Sequence, residues 1–269
     1  MLASAEPIVI HDPVTMKHNR PGVVTEGITY LKYVTRMPVR RSPRIKFFVF
    51  GSGRSGSTLL VDLLDSHPRI QCEGELLSRR MLLPDHFIRC RAALSRQEAY
   101  GFKLLCYHLT MVHKKLGLRT FVTHLVNSGY KVVYLNRRNA FRRALSNLYA
   151  RHRDQFHSRQ GGHTAPIAPM RVDLDELLGW MEGIENTVEL ERDVLRGLPH
   201  VQLIYEDDLK QPACQQPAID RITEYLGLPS MPVTTELKKA TPRELSRFVA
   251  NYEEVVAFVD ATAYADYLP

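Results

Sequence analysis

Ile45-Lys46-Phe47-Phe48-Val49-Phe50-Gly51-Ser52-Gly53-Arg54-Ser55-Gly56-Ser57-Thr58-Leu59-Leu60 is the stretch that decides the fold. Ile45–Phe50 is an apolar run with β-branched and aromatic members, ended by glycine, which predicts a buried strand. Leu59, Leu60, Leu63 and Leu64 then recur at helical spacing, with Asp62 and Asp65 on the other side. Between them lies a loop of glycine, serine and one arginine. Glycines let the backbone turn tightly and bring successive N–H groups towards an anion. The helix that follows adds its N-terminal amides and the positive end of its dipole. Ser55, Ser57 and Thr58 supply hydroxyls, and Arg54 a fork of charged N–H groups. The frame from Gly51 to Gly56 has the spacing of a Walker A loop, but Ser57 stands where that motif needs lysine. An ordinary Mg–ATP kinase is therefore disfavoured.

Outward from this loop the same alternation continues. Ile70–Cys72 predicts a short strand closed off from the preceding helix by His67-Pro68. Residues 76–96 read as helix, Tyr100–Cys106 as strand, and His108–Leu116 and 119–127 as helices. Lys131–Leu135 is the next strand and Ala140–Arg151 a helix with a basic face. Residues 154–172, rich in Gly, Pro, His and Gln, read as a long loop. Leu174, Leu177, Leu178, Met181, Ile184 and Val188 give a long amphipathic helix. Val201–Tyr205 is a strand and 214–226 a helix stopped by Gly227. Thr241-Pro242-Arg243-Glu244 has the form of a capping box opening a final helix, with Leu245, Phe248, Val249, Tyr252, Val256 and Val259 as its stripe. Strands alternating with helices predict an α/β fold: a P-loop-like three-layer sandwich with a central, mostly parallel five-stranded sheet flanked by helices. Residues 1–44, with five prolines, read as an irregular arm holding a short helix around Val24–Val34, and 45–269 as one domain.

Phe50–Leu60 closely resembles the signature of sulfotransferases that use 3′-phosphoadenosine 5′-phosphosulfate (PAPS). In that family this loop binds the 5′-phosphosulfate end of the donor, which assigns Gly53, Arg54, Ser55, Gly56, Ser57 and Thr58 to it. The family's second motif is an arginine at a strand end with a serine eight residues on, holding the 3′-phosphate. Arg138 and Ser146 fit that spacing, with Arg137 a competing candidate. A guanidinium fork plus a hydroxyl suits a dianionic phosphate. Ser66-His67-Pro68-Arg69-Ile70 through Gly74-Glu75-Leu76 resembles the carbohydrate-type branch with the trehalose and Nod-factor sulfotransferases. Gly101-Phe102-Lys103-Leu104, Tyr205-Glu206-Asp207 and Tyr225-Leu226-Gly227-Leu228 resemble further family segments.

The resemblance implies sulfuryl transfer to an acceptor hydroxyl on a carbohydrate or glycolipid, in line and without a metal. Arg54 and the loop amides would stabilise the leaving phosphate oxygen. Glu75 matches the catalytic glutamate of the trehalose-type branch and is the candidate base; a glutamate suits that task at neutral pH when burial raises its pKa. His108, after the third strand, and Glu73 are the alternates. Lys103 is placed to contact donor or acceptor, while His67 and Glu206 read as capping or packing residues. The resemblance also allows a homodimer.

Composition bounds the rest. The chain has 269 residues, 44% hydrophobic and 24% charged, as globular proteins do. Its net charge of +7 suits anionic partners: phosphate, sulfate, nucleic acid or an acidic membrane surface. The basic residues are dispersed and match no nucleic-acid motif, so a nucleic-acid or nucleotide-binding protein without transfer activity is the rival reading and no nucleic-acid partner is expected. Cys72, Cys90, Cys106 and Cys214 have no metal or disulfide spacing, and no metal site is expected. No apolar run reaches membrane-spanning length and no signal segment opens the chain, which reads as cytoplasmic.

Overall fold

The computed structural model describes residues 22–35, 43–160, 168–237 and 244–268, with 154–160 as backbone only. These residues form two compact units. One lies within residues 15–138 and 190–237 and contains the sheet; the other lies within 139–189 and 238–269.

The sheet unit has five strands: β1 (Ile45–Gly51), β2 (Ile70–Glu75), β3 (Ala99–Leu105), β4 (Tyr130–Asn136) and β5 (His200–Ile204). Their order is β2-β3-β1-β4-β5, and every pairing is parallel. Parallel neighbours need crossovers, and the apolar runs of β1, β3 and β4 are buried on both faces, as such sheets require. One face packs Phe48, Phe50, Phe102, Leu104 and Val132 against α3 (Pro84–Ala93), α4 (Leu118–Asn127) and the end of α6 (Leu174–Leu195). The other packs Phe47, Val49, Ile70, Cys72, Val133 and Leu135 against α2 (Ser57–Asp65) and α7 (Pro212–Leu226). This is the expected three-layer α/β/α sandwich, with five strands in place.

α1 (Gly22–Thr35) is the helix expected around Val24–Val34, a little longer at both ends. It docks by its polar side: the buried Glu26 carboxylate accepts the N–H groups of Leu82 and Leu83, each at 2.8 Å. The remainder of the arm, residues 1–21 and 36–42, lies outside the described residues.

Two readings are corrected by the sheet unit. Only Pro84–Ala93 of the stretch 76–96 is α-helical, because Glu26 takes the N–H groups just before Pro84 and Ser78 donates back to the Glu75 carbonyl (3.1 Å). His108–Leu116 is a π-helical turn (His108–Val112) followed by a 3-10 turn (Lys114–Leu116) rather than an α-helix.

In the other unit, α5 (Ala140–Gln160) continues through residues read as loop, so that loop begins no earlier than 161. Its core joins Phe141, Leu145, Leu177, Met181, Phe248 and Val259. The final helix is split: a 3-10 turn at Leu245–Arg247, then α8 (Tyr252–Asp260). Asn251 causes the break. Its amide accepts the Val172 N–H (2.9 Å) and donates to the Val172 carbonyl (3.0 Å), a trade of helix for strand-like pairing that also joins Met170 to Val249. The capping box at 241–244 falls mostly outside the described residues.

Candidate active site

The candidate residues gather at the carboxyl ends of the strands, where an open parallel sheet offers a site. β1 ends in Gly51 and feeds the loop into α2. Arg54 is the one described non-glycine residue with positive φ (60°), a conformation that costs about 1–2 kcal/mol. Gly56 has φ 95°, and a Cβ there would come within 2.4 Å of the Tyr205 ring. Only glycine suits that position. α2 begins at Ser57 with no side-chain cap, so its first-turn amides point to the loop without a side-chain oxygen to satisfy them. Ser55 braces the turn by donating to the Ser52 carbonyl (2.9 Å). An anion fits the chemistry of this cradle.

A chain of polar contacts leads from the cradle to the neighbouring strands. Lys103, almost buried on β3, donates to Thr58 Oγ1 (3.2 Å) and pairs with Glu75 Oε1 (2.8 Å). Glu75 Oε2 accepts the Tyr107 hydroxyl (2.6 Å) and lies 3.4 Å from His108 Nε2. Burial pushes the Glu75 carboxyl up, but the hydrogen bonds from His108, Lys103 and Tyr107 and the Lys103 charge outweigh it and hold the pKa at about 2. The raised pKa expected from burial is therefore reversed. His108 is fully buried, and burial lowers its pKa despite Glu75. Its Nδ1 accepts the Leu105 N–H (3.2 Å), which leaves the proton of the neutral ring on Nε2, facing Glu75.

A bulge aims Glu75. Glu73 pairs with Phe102 but Glu75 with Lys103, so Gly74 is an extra residue in β2. Phe102 and Lys103 point to opposite faces, and the two glutamates follow them. Glu73 turns to the α3 side, where Arg91 binds it through Nε (3.0 Å) and Nη2 (2.5 Å). Glu75 turns to the α2 side, beside the loop.

The fourth strand end contributes two arginines with different surroundings. Arg137 donates to the Arg54 carbonyl (3.1 Å) and lies over the Tyr205 ring (4.9 Å). Arg138 is half-exposed, pairs with Asp207, and donates its backbone N–H to Glu206 (2.9 Å). Ser146 is buried on α5 and belongs to the other unit. His67 is a packing residue, with Nε2 at 3.1 Å from the Pro229 carbonyl and Nδ1 accepting the Arg69 N–H.

The sheet unit thus brings together the loop, Lys103, Glu75 and His108. Sequence reasoning missed Tyr107 and gave Tyr205 no contact with the loop; the signal for both was an aromatic residue at or just past a strand end. Among the described residues, no group of three or more His, Cys, Asp or Glu side chains is placed to hold a metal ion.

Residues 46–114 match the model of the sulfotransferase family. No curated protein matches the chain. Among solved structures, a sulfotransferase from Alicyclobacillus acidocaldarius is 16% identical, with 82% of this chain and 95% of that one covered and a TM-score of 0.46. Mouse sulfotransferase SULT7A1 complexed with PAP is 12% identical, with 90% and 81% covered and a TM-score of 0.39. The matched family segment runs from β1 through the loop, Glu75, Lys103 and His108.

Proposed function

We propose that this chain is a sulfotransferase that moves the sulfuryl group of PAPS to an acceptor hydroxyl, on a carbohydrate or glycolipid. The observation that carries the reading is the continuous contact Thr58–Lys103–Glu75, which ties an anion-binding loop to an ionised carboxylate. The family match over residues 46–114 supports the same reaction.

The loop amides, Arg54 and the α2 N-terminus hold the 5′-phosphosulfate and take up charge on the leaving oxygen. Lys103, between Thr58 and Glu75, would turn to the sulfuryl oxygens of the bound donor. Arg138, the position matching the second family motif, serves the 3′-phosphate, and Arg137 braces the loop from below. The acceptor oxygen bonds to sulfur as the bond from sulfur to the phosphate oxygen breaks. The hydroxyl proton passes to Glu75, and 3′-phosphoadenosine 5′-phosphate leaves with the electron pair.

Glu75 at about pKa 2 is always ionised but weakly basic. When Lys103 turns to the donor, burial is left less opposed and the carboxylate gains basicity. His108 is a positioning residue: it is fully buried, and its Nε2–H orients Glu75. Incubation of the full chain with PAPS and a panel of sugar and glycolipid acceptors tests the reading by formation of the bisphosphate product. Acceptor-dependent product that falls by about two orders of magnitude or more in Glu75→Gln is expected, the range general-base removal produces. Full turnover in Glu75→Gln would remove Glu75 from the role.

A further inference from the structure

α1 is an amphipathic helix seated inside out. At 100° per residue, Val23, Val24, Gly27, Ile28, Leu31 and Val34 share one arc, and Glu26, Thr29, Tyr30 and Tyr33 the opposite one. The polar arc faces the protein: Glu26 and Thr29 are buried, and Tyr30 packs on His86 of α3 (5.0 Å). The apolar arc faces out, with Leu31 65% exposed. Leu82 (72% exposed) and Leu83, whose backbone N–H groups are tied to α1 through Glu26, also face solvent. Among the described residues, all of the exposed large hydrophobic side chains but Leu237 belong to α1 or to the Leu82-Leu83 pair bonded to it. An exposed apolar face of this kind marks an interaction site.

Charge identifies its occupant. Lys32, on α1, and Arg80, two residues before Leu82, are both exposed. The acids on these segments are occupied: Glu26 is buried under the helix, and Asp85 pairs with Arg89 (2.8 Å) and His124 (3.0 Å). An apolar face accompanied by exposed cations complements the acyl boundary and headgroups of an anionic bilayer. A second copy presenting the same face would set these cations against their own duplicates.

We propose that α1 and Leu82-Leu83 form a docking surface for an anionic lipid membrane, with α1 lying in the plane of the interface. No helix among the described residues is long and apolar enough to cross a membrane, so the contact is peripheral. The chain runs from Glu75 through Ser78 directly to Leu82, so the same segment that leaves the candidate base reaches the docking face. The attachment stands independently of the reaction assigned to Glu75.

The test is co-sedimentation of the full chain with phosphatidylcholine vesicles, with and without phosphatidylglycerol, at low and high salt. Binding that needs phosphatidylglycerol, weakens with salt and falls about tenfold or more in Leu31→Glu/Leu83→Glu is the expected result. Both substituted side chains are exposed, and an unchanged thermal midpoint confirms that the variant folds. Failure of the unaltered chain to sediment with anionic vesicles would overturn the proposal, as would sedimentation unaffected by the double substitution. A concentration-dependent dimer abolished by the same substitutions, without vesicle binding, would assign the face to a second copy and overturn it as well.

Discussion

Glu75 concentrates the behaviour that single residues control. Three donors hold its carboxyl at about 2, below the ordinary value of 4.5. A folded pKa below the unfolded one contributes stability above the unfolded value, and that contribution is lost as pH falls from about 4.5 towards 2. Denaturant titrations at pH 5 and pH 3 should therefore show the unaltered chain losing about 2 kcal/mol more than Glu75→Gln. Activity should behave differently. Because Glu75 is ionised throughout, kcat/KM for PAPS should show no acid limb in the histidine range; a limb there would hand the proton to His108. Two glycines near this carboxylate make a contrast. Gly56→Ala forces a Cβ into Tyr205 at a left-handed φ and should cost about 2–4 kcal/mol and abolish bisphosphate binding. Gly74→Ala meets nothing within 4 Å and should change stability by less than about 0.5 kcal/mol, although Gly74 forms the bulge.

Elements divide into those the sequence announces and those that tertiary contacts decide. β1, β3 and β4 are legible because strands buried on both faces read as unbroken apolar runs. The loop before α2 is legible because its glycines and hydroxyls have few other uses. β2 is legible only as far as Cys72; its polar end, Glu73–Glu75, is strand because β3 lies beside it. Spacing of two residues puts Glu73 and Glu75 on one face, and the bulge that separates them leaves no mark but a glycine. The helical residues 154–160 extend α5 without an apolar stripe to reveal them. Periodicity identifies α1 as a helix but cannot say which side is buried; the inward side is chosen by Glu26, whose two backbone partners are on a distant segment. Glu26→Ala should therefore loosen α1, leave two amides without their acceptor and cost about 1–3 kcal/mol. Hydrogen exchange should accelerate at Leu82 and Leu83 and not along β1 or β3.

At the scale of the whole molecule, two groups of basic residues stand out among the described residues. Arg54, Lys103, Arg137 and Arg138 gather at the carboxyl ends of the strands, while Lys32 lies on α1 and Arg80 two residues before Leu82. The central claim concerns the first group, and thermal shift with 3′-phosphoadenosine 5′-phosphate beside AMP and Mg–ATP tests it most directly. At a hundredfold excess over its dissociation constant a ligand adds about 2.7 kcal/mol, which raises the midpoint of a chain this long by several degrees. The account predicts a rise of that size with the bisphosphate, little with AMP or Mg–ATP, and none with the bisphosphate in Arg54→Ala. No rise at millimolar bisphosphate, or an equal rise with Mg–ATP, would contradict it.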